Sequence, residues 1–164
     1  MIALALGGFY LTTIPAQAAS TTTQLRERTL YMQRVMGASP APASSFSGPA
    51  RWVQLHPREL QREQARWRWL YNVTRYRFQN PPHKTSWLCI HRYEGSWTDP
   101  GAPYYGGLQM DLSFQRAYGS YLLRWKGTAE HWTPLEQMWV AERAHRAGRG
   151  FYPWPNTARY CGLL

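Results

Sequence analysis

The run KTSWLCIHRYEGSWTDPGAPYYGGLQMD, Lys84 to Asp111, decides how this chain is read. Its first half has the character of a short helix. Thr85 stands at a capping position, Trp87, Leu88 and His91 follow on successive turns, and Gly95 is a C-terminal stop directly after Glu94. Residues 95 to 107 are crowded with Gly and Pro and read as a loop or short hairpin. Leu108 to Tyr118 is then expected to be helical, stopped by Gly119. A lone carboxylate, Glu94, thus closes a helix, where the macrodipole is negative and apolar residues such as Trp97 lie close in sequence. Both features disfavour the charged form. A carboxyl held toward neutrality is what a general acid needs to protonate a leaving oxygen.

Working toward the C-terminus, Thr133-Pro134-Leu135-Glu136 is a capping box with Pro at the first helical position. It opens a helix expected to run to Ala147, stop at Gly148 and bury Leu135, Met138 and Trp139. Trp139 and Trp154 are assigned to packing. Glu142 and Arg146, four apart, read as an ion pair on one helix face. His91 reads as a surface or core histidine. Asp99, before Pro100-Gly101, has the character of a turn residue, and Asp111 that of a cap.

Working toward the N-terminus, residues 51–80 form a basic aromatic segment. Leu60, Trp67, Tyr71 and Phe78 recur near the helical period, so a helix is expected from about Pro57 to Phe78, ended by Asn80-Pro81-Pro82. Residues 51 to 84 hold seven Arg and one Lys against Glu59 and Glu63, a net +6 of the chain's +10. Such a helix suits an anionic wall polymer, an anionic lipid surface or nucleic acid, or it is simply a solvated face packing its aromatics inward.

The first 18 residues carry no charge and end in Ala16-Gln17-Ala18, the pattern of a secretory signal peptide lacking its basic start. The apolar run is too short and interrupted for a membrane span. Export sets nucleic acid aside as a partner, and no transmembrane anchor is expected. Residues 19–50 comprise a short amphipathic piece, with Leu25, Met32 and Met36 on one face, and a Pro/Ala/Ser linker from residue 38.

The 164 residues suffice for one modest domain plus accessories. Nine Trp and eleven Tyr suit a surface that stacks on sugars, bases or headgroups, although cores are the commoner use of such rings. Cys89 and Cys161, in an exported chain, are expected to pair, the alternative being two buried thiols. Their bond would close a loop of about 70 residues, worth about 4 kcal/mol in the chain-entropy view. Two isolated cysteines and scattered histidines offer no metal-ligand spacing, so no metal and no cofactor is expected.

From Trp87 to Leu163 the chain resembles the actinobacterial resuscitation-promoting factors, a branch of the lysozyme-like lytic transglycosylases. The resemblance is carried by Glu94-Gly95-Ser96-Trp97, Tyr104-Tyr105-Gly106-Gly107-Leu108-Gln109, Glu136-Gln137, Ala141-Glu142-Arg143 and Trp154-Pro155, in order and at matching spacing. In that family one cysteine directly precedes the Glu and the other follows Trp-Pro by two residues. Here Cys89 and Cys161 are each displaced outward by four, about one helical turn at Cys89.

The resemblance implies a mainly α, lysozyme-like domain with minor β over residues 81–164, preceded by the helical basic segment. It implies an exported bacterial cell-wall enzyme that cuts the MurNAc-β-1,4-GlcNAc bond of peptidoglycan. Glu94 would be the acid and then the base, and the muramic C6 hydroxyl the internal nucleophile that yields a 1,6-anhydro product. Trp97, Tyr104 and Tyr105 would line sugar subsites, Gly106 and Gly107 would bring the backbone close to the glycan or make a tight turn, and Gln109 would donate to the sugar or serve a structural bond. Hydrolysis with Asp99 or Asp111 as a second carboxylate, and a non-catalytic glycan-binding module, are the competing readings. A membrane-active role for residues 51–80 alone is a third.

Overall fold

The computed structural model describes residues 13–42 and 57–164, with side chains from Ser20 onward. Most of the signal segment 1–18 and of the linker 38–50 lies outside these described residues. The chain is mainly helical: α1 (Thr13–Met36), α2 (Pro57–Gln79), α3 (Lys84–Glu94), α4 (Leu112–Lys126), α5 (Pro134–Ala144) and α6 (Pro155–Tyr160). A two-residue antiparallel pair, β1 (Tyr104–Tyr105) and β2 (Met110–Asp111), is the minor β component, with Tyr104 opposite Asp111.

Two compact units divide the chain, one of Met1–Leu30 with Ala41–Val73, the other of Tyr31–Pro40 with Thr74–Leu164. In the first, Leu60 and Trp67 are buried, and Leu25, Ala41 and Leu70 pack on them. Leu60 and Trp67 lie seven apart, two turns along one face of α2, as the periodicity predicts. The helix ends at Gln79, just before Asn80-Pro81-Pro82, because proline cannot continue the hydrogen-bond ladder.

The second unit is organised around α5. From Glu136 to Glu142 every residue of α5 is buried, so this helix is enclosed on all sides. Its capping box forms as read, with the Thr133 hydroxyl accepting from Glu136 N and the Glu136 carboxylate accepting from Thr133 N. Three buried polar side chains then tie the surrounding segments to it through hydrogen bonds, although the Gln137 amide oxygen is left without a partner among the described residues. Glu136 accepts from Lys126 Nζ at 2.7 Å and from the Tyr31 hydroxyl. Gln137 donates to the carbonyls of Trp97, Ala129 and Trp132. Glu142 accepts from His83 N at 2.7 Å and Trp87 Nε1 at 2.8 Å. Around these, Trp87, Ile90, Leu108, Leu122, Trp132 and Trp154 complete the core.

Several local expectations give way to tertiary context. Glu142 and Arg146 do not pair: Glu142 is fully buried on His83 and Trp87, while Arg146 donates to Met36 O. Burial decides this, because an unpaired carboxylate inside would cost far more than a surface ion pair returns. Thr85 does not cap α3, which starts one residue earlier behind His83, where Pro81-Pro82 has already turned the chain. Leu108 is not helical: residues 106–109 turn the hairpin, and Asp111 caps α4 by accepting from Phe114 N at 2.7 Å.

Gly119 does not stop α4 but kinks it, and a Cβ there would stand 2.6 Å from the Trp132 ring. Its glycine makes room for tryptophan. Beyond Ala144 the helix widens into a π-type turn, His145–Arg149, broken by Gly148 at φ +88°. Leu135 is only half-buried, whereas Met138 and Trp139 are buried as expected.

Candidate functional site

Glu94 is the last residue of α3, and the helix is held at both ends. At its start, Trp87 and Ile90 anchor one face in the core. In its middle, Cys89 is disulfide-bonded to Cys161, with Cα atoms 6.0 Å apart. That bond fastens the end of α6 to α3. Fastening α6 there puts Thr157 beside the carboxyl: Thr157 Oγ1 donates to Glu94 Oε1 at 2.7 Å. Thr157 is the one hydrogen-bond donor on Glu94 among the described residues, so Oε2 is left without a protein partner. The outward displacement of both cysteines therefore coincides with an intact bridge.

The loop after α3 folds back on this end. Gly95 is extended, and a Cβ there would meet Gln109 Nε2 at 3.1 Å and Asp99 Oδ2 at 3.2 Å. Gln109 Nε2 donates to Asp99 Oδ2 at 2.9 Å and to Gly106 O at 2.9 Å. Gln109 is also the single non-glycine residue with positive φ, +46°, among those described. Such a backbone is uncommon outside glycine and recurs at functional positions. Its amide nitrogen is committed to the loop, while its amide oxygen has no partner among the described residues.

The other residues expected here separate into two groups. Trp97 stacks on His91, ring centroids 3.9 Å apart and 23° from parallel. His91 Nδ1 lies 3.1 Å from Gly107 O. A Cβ on Gly107 would strike both rings within 2.7 Å, and one on Gly106, at φ +72°, would strike Gln137 at 2.6 Å. The close approaches of both glycines are thus made to the protein's own side chains, and Gly106 supplies the tight turn. Tyr104 is exposed and Tyr105 half-buried.

A groove of about 290 Å³ opens beside this loop, lined among others by Tyr104, Gln109, Asp111, Tyr118, Arg149 and Trp154. It mixes aromatic faces with hydrogen-bonding groups, the character of a polyol or sugar site. Glu94 is not in its lining. It stands beside residues that are, next to Gln109 through Gly95 and next to Trp154 through Thr157, whose hydroxyl also approaches Trp154 O at 3.4 Å. Glu94 and its hydrogen bond thus lie at the margin of the groove rather than in its lining.

Neither second-carboxylate candidate is idle. Asp99 accepts from Gly101 N at 3.0 Å as well as from Gln109, the turn role read from Asp-Pro-Gly. Asp111 accepts from Ser113 Oγ and Phe114 N, and these bonds hold its carboxyl below the usual value against slight desolvation. Asp111 is thereby committed to the start of α4. Thr157 and Arg149 were not singled out by sequence. Thr157 lies 63 positions from the carboxyl it contacts, and nothing local announces that contact.

No family model matches the chain, and neither a curated protein nor a solved structure matches it.

Proposed function

We propose that residues 81–164 cleave peptidoglycan as a lytic transglycosylase, with Glu94 as the general acid and then the base. The carrying observation is the Glu94–Thr157 pair at the helix end, with a hydroxyl holding one carboxylate oxygen and the other left for substrate. In the first step Glu94 gives its proton to the glycosidic oxygen, and the bond from that oxygen to the muramic C1 breaks. In the second, the muramic C6 hydroxyl bonds to C1 and passes its proton to Glu94, which restores the acid. The nucleophile belongs to the substrate, so a positioned water is not required.

The occupied carboxylates favour this route over hydrolysis. A two-carboxylate glycosidase needs a free partner across the cleft. Asp99 is tied at both oxygens, and Asp111 is engaged in capping α4. The groove's Tyr104 and Tyr118 offer faces for sugar rings, and Arg149 offers charge to the peptide or lactyl carboxylates of the strand.

The disulfide suits an oxidising, exported setting, and no helix among the described residues is long and apolar enough to cross a membrane. On α2, Arg62, Arg68, Arg75 and Arg77 are exposed together with Trp69 and Tyr76, which supports a role in holding the protein to an anionic wall polymer. Mass spectrometry of sacculi digested by the protein tests the reaction. Muropeptides ending in 1,6-anhydro sugar are expected. Reducing muramic ends in their place would make the protein a hydrolase.

A further inference from the structure

At the opposite end of α3 from Glu94, three side chains converge whose only assignment so far is structural. We propose that His83, Glu142 and His145 form a binding site for one divalent transition metal, with Zn²⁺ the best match to the donors. Their ligand atoms all lie within 4.8 Å of one another. Glu142 and His145 are three apart and share a face, the Glu-x-x-His spacing that presents two donors to one ion. His83 comes from the residue that precedes α3.

The geometry around Glu142 distinguishes this from an ordinary ion pair. Its Oε1 already takes two short hydrogen bonds, from His83 N at 2.7 Å and Trp87 Nε1 at 2.8 Å. His83 Nδ1 stands 3.2 Å from both carboxylate oxygens. A charge-assisted N–H···O bond closes to about 2.7–2.9 Å. Two ligands on a tetrahedral ion with bonds of about 2.0–2.1 Å sit about 3.3 Å apart. The 3.2 Å spacing suits the second arrangement as well as a long hydrogen bond, and the three donors together lie within 4.8 Å, close enough to converge on one ion.

The surroundings fit as well. The Trp87 and His83 N–H groups orient the carboxylate as a second shell does around a metal. Trp87 and Phe151 wall the cluster, their rings 4.8 Å apart, and Phe151 meets the His145 ring edge-on at 4.8 Å. His83 is 39% exposed at its side chain while Glu142 is 0% exposed, so an ion can enter from solvent and keep a water in the fourth position. An ion here would clasp the start of α3 to α5, about 16 Å from Glu94 along an 11-residue helix, and would take no part in the sugar chemistry. The inference is independent of the glycan reading.

The test uses the untagged full chain, stripped with chelator and returned to metal-free buffer. Calorimetric titration with ZnCl₂ is expected to show one equivalent bound with Kd below about 10 μM. CoCl₂ is expected to give the visible absorption of a tetrahedral site. Substituting His145→Ala, His145→Gln or His83→Ala should weaken binding at least about tenfold. His131→Ala, outside the cluster, should not change it. Metal-free melting and far-UV dichroism identify any variant that fails to fold, and the His145→Gln change keeps a polar side chain in place if the Ala variant does. Absence of saturable Zn²⁺ binding to the wild-type chain, or binding that folded His83 and His145 variants retain in full, would overturn the proposal.

Discussion

One hydroxyl sets the chemistry that Glu94 is proposed to perform. Thr157 holds Oε1 at 2.7 Å, so Thr157→Val removes the bond while keeping the shape of the side chain. A hydrogen bond of this kind is worth about 1–2 kcal/mol, so kcat should fall about 5- to 30-fold with KM little changed. Steady-state release of muropeptides measures it; an equal loss in KM alone would mean that Thr157 binds sugar instead. Glu136 is the second residue whose behaviour is set by its partners. Burial works against its charged form, but Lys126, Tyr31 and Thr133 N outweigh that and hold its carboxyl below the usual 4.5. A carboxyl depressed in the fold contributes stability above the unfolded value and loses it as pH falls through the folded one. The urea midpoint should therefore drop as pH falls below the usual carboxylate value of 4.5, and Glu136→Gln should be less stable at neutral pH and show a smaller drop. Capping at Thr133 was legible, because a capping box is a four-residue pattern. The Lys126 and Tyr31 partners were not, since each reaches Glu136 only through the tertiary fold.

Helices were read well where the signal is local and poorly where a neighbouring element decides. The span of α2, the proline start of α5 and the end of α2 at Pro81-Pro82 follow from periodicity and punctuation. Gly119 shows the opposite case. In isolation a glycine after eleven expected helical residues reads as a stop, yet α4 continues through it to Lys126, and the glycine is there because Trp132 occupies the space a Cβ would take. Ala is favoured over Gly in a helix by about 1 kcal/mol, so propensity alone predicts that Gly119→Ala stabilises. Overpacking costs about 1–3 kcal/mol, and the Trp132 ring is buried with its Nε1 donating to Gly127 O at 2.8 Å, so it cannot readily withdraw. Net destabilisation is expected in a chemical melt. A more stable variant would mean the ring moves freely. Glu142 follows the same logic: four residues from an arginine, it reads as a surface pair, but the core claims it.

For the molecule as a whole, the Cys89–Cys161 bond joins α3, which ends in Glu94, to the end of α6 across 72 positions. Replacing both cysteines with alanine should cost about 4 kcal/mol, read as a lower urea midpoint. Activity should fall further than global stability alone requires, since α6 brings Thr157 to Glu94. Pairing of the cysteines was legible from their number and the expectation of export. That the bridge places a threonine on the acid was not, because no spacing encodes a contact across 63 residues. The mainly α architecture was legible from patterning, the grouping of Glu94, Gln109 and Asp99 only in part, and the groove's Arg149 not at all. The most direct measurement of the central claim is the rate of muropeptide release from purified sacculi by the wild-type chain and by its Glu94→Gln variant. The account predicts release by the wild type and a loss of at least about 100-fold in the variant, which should still sediment with sacculi. A variant that cleaves at the wild-type rate, or a wild type that binds sacculi and releases nothing, would contradict it.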